Sequence, residues 1–232
     1  MESPFALGPR GFRLAARLGL TEDGSVRAGR LAAVLVAFTW LPLLALTLVA
    51  GTAYGGQASV SLLSDFLPYG RYLMALPILV LIHPYIDRQV VLVLTGLREA
   101  HLVRPADDEM LREKVERARQ LWLSPPVRIA LLGTAVATAF LMVRATVAVD
   151  APEWIFRPGT DPPALSTAGW WNAAVNGPLL RLLILITVWK LVVWSWFLLQ
   201  LARMPLNYQP MHADGCAGLS ILERVQFGFS GI

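Results

Sequence analysis

Apolar residues in this chain gather into four blocks of about twenty or more, and the stretches between them hold most of the charged residues and many of the prolines and glycines. About twenty helical residues at ~1.5 Å each cross the ~30 Å hydrocarbon core of a bilayer, so the pattern predicts four membrane spans. The first, residues 31–50, carries no charge, and Pro42 within it removes one backbone hydrogen bond and predicts a kink that a neighbouring group must re-satisfy. The second, RYLMALPILVLIHPYIDRQVVLVLTGL over 71–97, is just as apolar but holds His83, Asp87 and Arg88, with a further kink predicted at Pro84. The third, 129–149, is rich in Ala and Thr, small residues that let helices approach closely, and Arg144 lies within snorkelling reach of its far end.

The fourth block, 170–203, would be ~51 Å long as one helix, more than the core needs. The run Asn176-Gly177-Pro178 predicts a break, which places the span at 178–202 and makes WWNAAVNG a re-entrant or interfacial lead-in. Lys190 then falls twelve residues in, near the middle of the bilayer, among Trp189, Trp194 and Trp196. Arg181, three residues inside Pro178, is expected to snorkel outward.

Between the second and third spans the pattern changes to a 3.6-residue period. Residues 98–124 hold six basic and six acidic side chains, and Met110, Leu111, Val115, Ala118, Leu121 and Trp122 share one face. Asp107 is the expected N-cap, Pro125 and Pro126 stop the helix, and Asp108/Arg112, Arg112/Glu116 and Glu113/Arg117 are spaced for i,i+4 pairs. The apolar face is expected to pack on the membrane domain or on another subunit. At the other end of the spans, Asp65 is the lone charge of the first loop; the second carries four prolines and Trp154, and Trp170 and Trp171 mark re-entry at the interface. In the leading segment Arg10, Arg13 and Arg17 cluster on one side of a helical wheel, which suits either a short helix on anionic lipid or a solvated basic lead-in. Thirty residues ahead of a twenty-residue apolar block do not fit a signal peptide.

Composition agrees with this reading. Of 232 residues 56% are hydrophobic and 16% charged, against about 25% charged in a soluble domain. The sequence pI of 9.6 would suit a nucleic-acid binder, but the basic residues flank the apolar blocks and report orientation, so nucleic acid is not an expected partner. Five lie in 1–30, seven in 98–128 and two after the fourth span, while the intervening loops have only Arg71 and Arg157. The expected fold is an all-α polytopic transmembrane helical bundle of about four spans in a bacterial inner membrane, both termini cytoplasmic. Its segments are a basic lead-in at 1–30, spans one and two at 31–97, the amphipathic helix at 98–126, spans three and four at 127–204, and a cytoplasmic loop at 205–232. The expected partners are the lipid bilayer and further copies of the chain or other membrane subunits.

Candidate chemistry is sparse. His83 and Asp87 are i,i+4 and share a helical face, and Arg88 follows them; Asp87 and Lys190, counted from the same side, differ in depth by only ~6 Å. A buried Asp87–Lys190 pair joining spans two and four is expected, serving either structure or a transport pathway. After the fourth span, HADGC offers His212, Asp214 and Cys216 at alternating positions. They suit a metal or phosphate site, a Cys216/His212 thiol pair, or a polar turn in which Gly215 and Gly218 take positive φ. A lone cysteine excludes an internal disulfide, no hydrolase, metalloprotease, P-loop or dinucleotide motif is present, and no metal or cofactor is expected.

The segment from Leu165 to Leu222 resembles part of an uncharacterised bacterial multi-pass inner-membrane family in which a Trp- and Arg-rich span leads to a cytoplasmic His-Pro-Asp loop and a Gly-Gly-Leu element. Here Ala213 replaces the proline and Ala217 one glycine; the resemblance runs more weakly back through RYLMALPILVLIHPYIDRQ. It implies architecture and no established activity, and further spans after Phe229, so that the chain would be a fragment or a truncated product. Three functions follow: a structural or assembly component; a transporter or channel subunit using His83, Asp87 and Lys190; and a membrane-bound enzyme with a site at His212 and Asp214.

Overall fold

The computed structural model describes residues 21–22, 25–54, 60–147, 152, 154–157, 160, 164–205 and 207. The architecture is all-α. After an antiparallel pair of two-residue strands, β1 (Thr21–Glu22) and β2 (Ser25–Val26), come helices α1 (Ala28–Val49), α2 (Phe66–Glu99), α3 (Asp108–Leu123), α4 (Pro125–Val147) and α5 (Thr167–Ala202). Among the described residues four helices, α1, α2, α4 and α5, are long and apolar enough to cross a membrane, and by that measure this is a membrane protein. The expected helix of Arg10, Arg13 and Arg17 lies outside the described residues.

The fourth span departs from expectation. Asn176-Gly177-Pro178 does not break it: α5 is continuous over 36 residues, and the irregularity is a π-helical turn at Asn172–Asn176. A π turn widens the ladder by one residue without ending it, and Pro178 follows at the start of the next α-helical stretch, where proline's missing N–H is tolerated. A matching π turn, Tyr69–Ala75, lies near the start of α2, which is 34 residues long. Both helices exceed ~50 Å, so each is longer than a hydrocarbon core requires.

The chain divides into two compact units, each with its own core. One comprises Ile82–Pro125 and the stretch beginning at Val188; the other comprises Pro126–Thr187 and the stretch ending at Leu81. In the first, Val90, Val93, Leu94 and Leu97 of α2 pack with Val193, Phe197 and Leu201 of α5, and α3 inserts Leu111 and Ala118 between them. The apolar face of α3 is thus used within its own chain. Met110 and Leu121, expected on that face, remain 42% and 37% exposed. Asp107 stands at the N-cap without a side-chain cap bond; its carboxylate meets Arg104 at 3.2 Å instead. Asp108 is held by Arg98 at 2.6 Å and Arg112 at 3.1 Å, Glu113 by Arg117 at 2.7 Å, and Glu116 by Arg119 rather than by the expected Arg112.

The second unit is tied by close approach and neutral hydrogen bonds. Pro42 leaves the Phe38 carbonyl without its helical donor, and Asn176 Nδ2 donates to the next carbonyl, Thr39 O, at 3.1 Å. Thr39 and Thr47, both fully buried in α1, return their hydroxyls to carbonyls of the preceding turn. Trp154, only 2% exposed, plugs a core of Leu43, Leu62, Tyr72 and Ala168, and its indole N–H donates to Asp65 Oδ2 at 3.0 Å. Ser166 caps α5 by accepting from Gly169 N, and Gly169 lies so close to the loop that a Cβ there would fall 2.1 Å from Ile155 O.

Candidate functional site

The expected pair of spans two and four is present in the first unit. Lys190, one turn before Trp194 on α5, is 1% exposed, and its Nζ lies 2.7 Å from Asp87 Oδ1 of α2. The ammonium also donates to the main-chain carbonyl of His83 at 3.2 Å, and Trp122 of α3 lays its ring 5.5 Å from it. Each contact answers one requirement of a buried ammonium. The carboxylate supplies the opposite charge, the carbonyl takes a second of its three donors, and the π face adds an attraction that strengthens where water is excluded.

Helix geometry explains why these groups meet. Asp87 and Lys190 each lie twelve residues before the last residue of their helix, Glu99 and Ala202, and the shared core of α2 and α5 holds the two helices in register. His83 precedes Asp87 by one turn, so its carbonyl and the carboxylate fall on the same flank of α2. Trp122 reaches them because Leu111 and Ala118, three turns and one turn earlier on α3, are already anchored in that core.

The ring over the ammonium is Trp122 of α3, which the sequence does not bring to Lys190, and Trp194 of α5 stacks on Phe197 with centroids 5.6 Å apart. One expectation changes. Because α5 begins at Thr167 and runs unbroken, Lys190 is twenty-three residues from its start, ~35 Å along the axis. The twelve-residue count that put it near mid-bilayer rested on the break at Pro178, which does not occur. Arg88 is exposed and stands outside this cluster. Asp87 is not sealed as Lys190 is, its side chain being 31% exposed.

The second unit holds a further constellation, which sequence reasoning missed. Tyr72 Oη donates to Asn172 Oδ1 at 2.6 Å, joining the π turns of α2 and α5 beside a cavity lined by Arg71 and Arg181. The signal that could find it is the one that finds Asp87 and Lys190, a polar residue near the same level of two spans running in the same direction. Arg181 turns back toward the start of its helix, as expected of a snorkelling side chain, and donates to Gly177 O at 3.1 Å. The side chain of Arg144 and the whole of His212, Asp214 and Cys216 lie outside the described residues, and among the described residues no three His, Cys, Asp or Glu converge on a metal-sized site. Compared with protein-family models, curated proteins and solved structures, the chain matches none.

Proposed function

We propose that the protein is a structural or assembly component of a bacterial inner membrane, with both termini cytoplasmic and α3 on the cytoplasmic side. The observation that carries this reading is the enclosure of Lys190. An ammonium serving a transport path must exchange its partner with water or cargo, whereas this one is engaged by Asp87, the His83 carbonyl and Trp122 at 1% exposure. Three helices converge on one charge, the use to which a buried cation is put when it fixes which helices neighbour each other. The orientation rests on the excess of Arg and Lys in 1–30 and 98–128 over the intervening loops. On this reading a partner meets the charged outer face of α3, where Arg112, Glu113, Glu116 and Arg117 border a shallow cleft.

Cysteine accessibility tests it. In a Cys216→Ser background, Ile86→Cys and Val193→Cys next to the pair are expected to stay unreactive to a water-soluble maleimide in the folded protein and to react fully once denatured. Rapid labelling of both in the folded protein would mean a hydrated passage and would turn the reading to a transporter or channel subunit. Reporters fused at either terminus are expected on the cytoplasmic side; a periplasmic location would overturn the orientation independently.

A further inference from the structure

In the second unit a cavity of about 350 Å³ is bounded by the first turns of α2 and α5, by α4, and by Pro152, Trp154, Ile155, Phe156 and Leu165. Its wall is largely apolar, with Ala139, Met142 and Val143 supplied by α4, and into that wall are set Arg71 and Arg181. Arg181 is half-buried and Arg71 is exposed. Asp65 also borders the cavity, but its oxygens are engaged, Oδ1 by Leu67 N at 2.9 Å and Oδ2 by Trp154 Nε1 at 3.0 Å. Among the described residues neither arginine has a carboxylate within 4.0 Å. Arg181 Nη1 reaches a main-chain carbonyl, which satisfies one donor and cancels no charge.

Two cations on one largely apolar cavity suit an anion, and a carboxylate or phosphate can accept from more than one guanidinium fork. The backbone is shaped for the same place. Both π turns contribute to the lining, Arg71 and Tyr72 from one, Asn172 and Ala173 from the other, and such turns, rare overall, are frequent at functional sites. Gly177 keeps room for the guanidinium, since a Cβ there would lie 3.0 Å from Arg181 Nη1 and 3.2 Å from Asn172 O.

We propose that this cavity binds one anionic amphiphile, its carboxylate or phosphate head group held by Arg71 and Arg181 and its hydrocarbon chain laid against Ala139, Met142 and Val143. The volume falls within the range of small-molecule sites, enough for a head group and the first part of a chain. The full chain, purified in a neutral detergent, tests this by native mass spectrometry with phosphatidylglycerol and phosphatidylcholine as probes. One phosphatidylglycerol per chain is expected to remain bound, with phosphatidylcholine at least ~10-fold weaker. Arg71→Gln with Arg181→Gln is expected to lose at least ~10-fold in retention. Val143→Trp, which fills the apolar side and leaves both charges, is expected to lose the lipid as well, and it decides the matter should the double variant fail to fold. Equal retention of the two lipids, or undiminished retention by a folded double variant or by Val143→Trp, would overturn the proposal. Inorganic phosphate at millimolar concentration is expected not to displace the lipid; displacement would replace the amphiphile by a free anion.

Discussion

The two units solve the same problem, holding helices together where water is scarce, with different chemistry. The unit that contains the water-facing α3 uses a full ion pair, Asp87–Lys190, backed by a carbonyl and an aromatic face. The other unit, whose helices turn Phe38, Leu41, Leu132 and Phe140 outward, uses neutral bonds, Tyr72 to Asn172 and Asn176 to Thr39 O, and glycine-sized approaches. Desolvating two charges costs several kcal/mol each, desolvating a phenol and an amide much less. An ion pair is better tolerated where one member is only partly enclosed, and Asp87, 31% exposed, is the less enclosed of the two.

The largest effect should come from stranding the sealed charge. Asp87→Asn removes the carboxylate facing a cation at 1% exposure and is expected to cost ~3–5 kcal/mol, seen as a large fall in melting temperature in detergent. Lys190→Met should cost less, because the carboxylate that loses its cation is less enclosed, at 31% exposure. The double variant should recover much of the loss; if the two losses simply add, the pair contributes nothing to stability. The neutral unit should respond to bulk instead. Gly169→Ala drives a methyl into Ile155 O and is expected to cost ~3 kcal/mol through displacement of the loop that carries Trp154, visible as increased proteolysis near residue 155.

Tyr72→Phe should be milder, ~1–2 kcal/mol, the cost of leaving Asn172 Oδ1 without its donor at a half-buried site. Tyr72→Phe with Asn172→Leu should recover part of that loss in the same melting assay. A loss from Tyr72→Phe as large as that from Asp87→Asn would erase the distinction between the units.

How far these contrasts could be read from residues alone depends on the range of the interaction that sets them. Span identity is written in composition, a sum over about twenty positions, so all four apolar helices and the stop at Pro125 were legible. The Asp87–Lys190 pair was legible because charges inside apolar runs are few and must be matched. Trp122 was not, because its approach depends on how α3 packs, and one helical face reads alike whether it covers its own chain or a partner. The continuity of α5 was misread for a related reason. Asn-Gly-Pro is a turn signal in water, but in a long apolar helix the backbone has no solvent to turn toward, and a π turn lets the helix continue through it. The cavity arginines look like ordinary interfacial snorkellers until the fold sets both on one cavity.

The smallest effect should lie on the outer face of α3. Glu113 and Arg117 meet at 2.7 Å but are 61% and 65% exposed, so water and salt already compete for both charges. Glu113→Ala is expected to change stability by no more than ~0.5 kcal/mol, and the change should vanish in high salt. The same distance separates Lys190 from Asp87, so comparing the two substitutions in one detergent isolates burial as the variable. If Glu113→Ala proved as costly as Asp87→Asn, the outer face of α3 would have to be covered rather than open to water, and the contrast between a sealed pair and a solvated one would have to be redrawn around a partner held on that face.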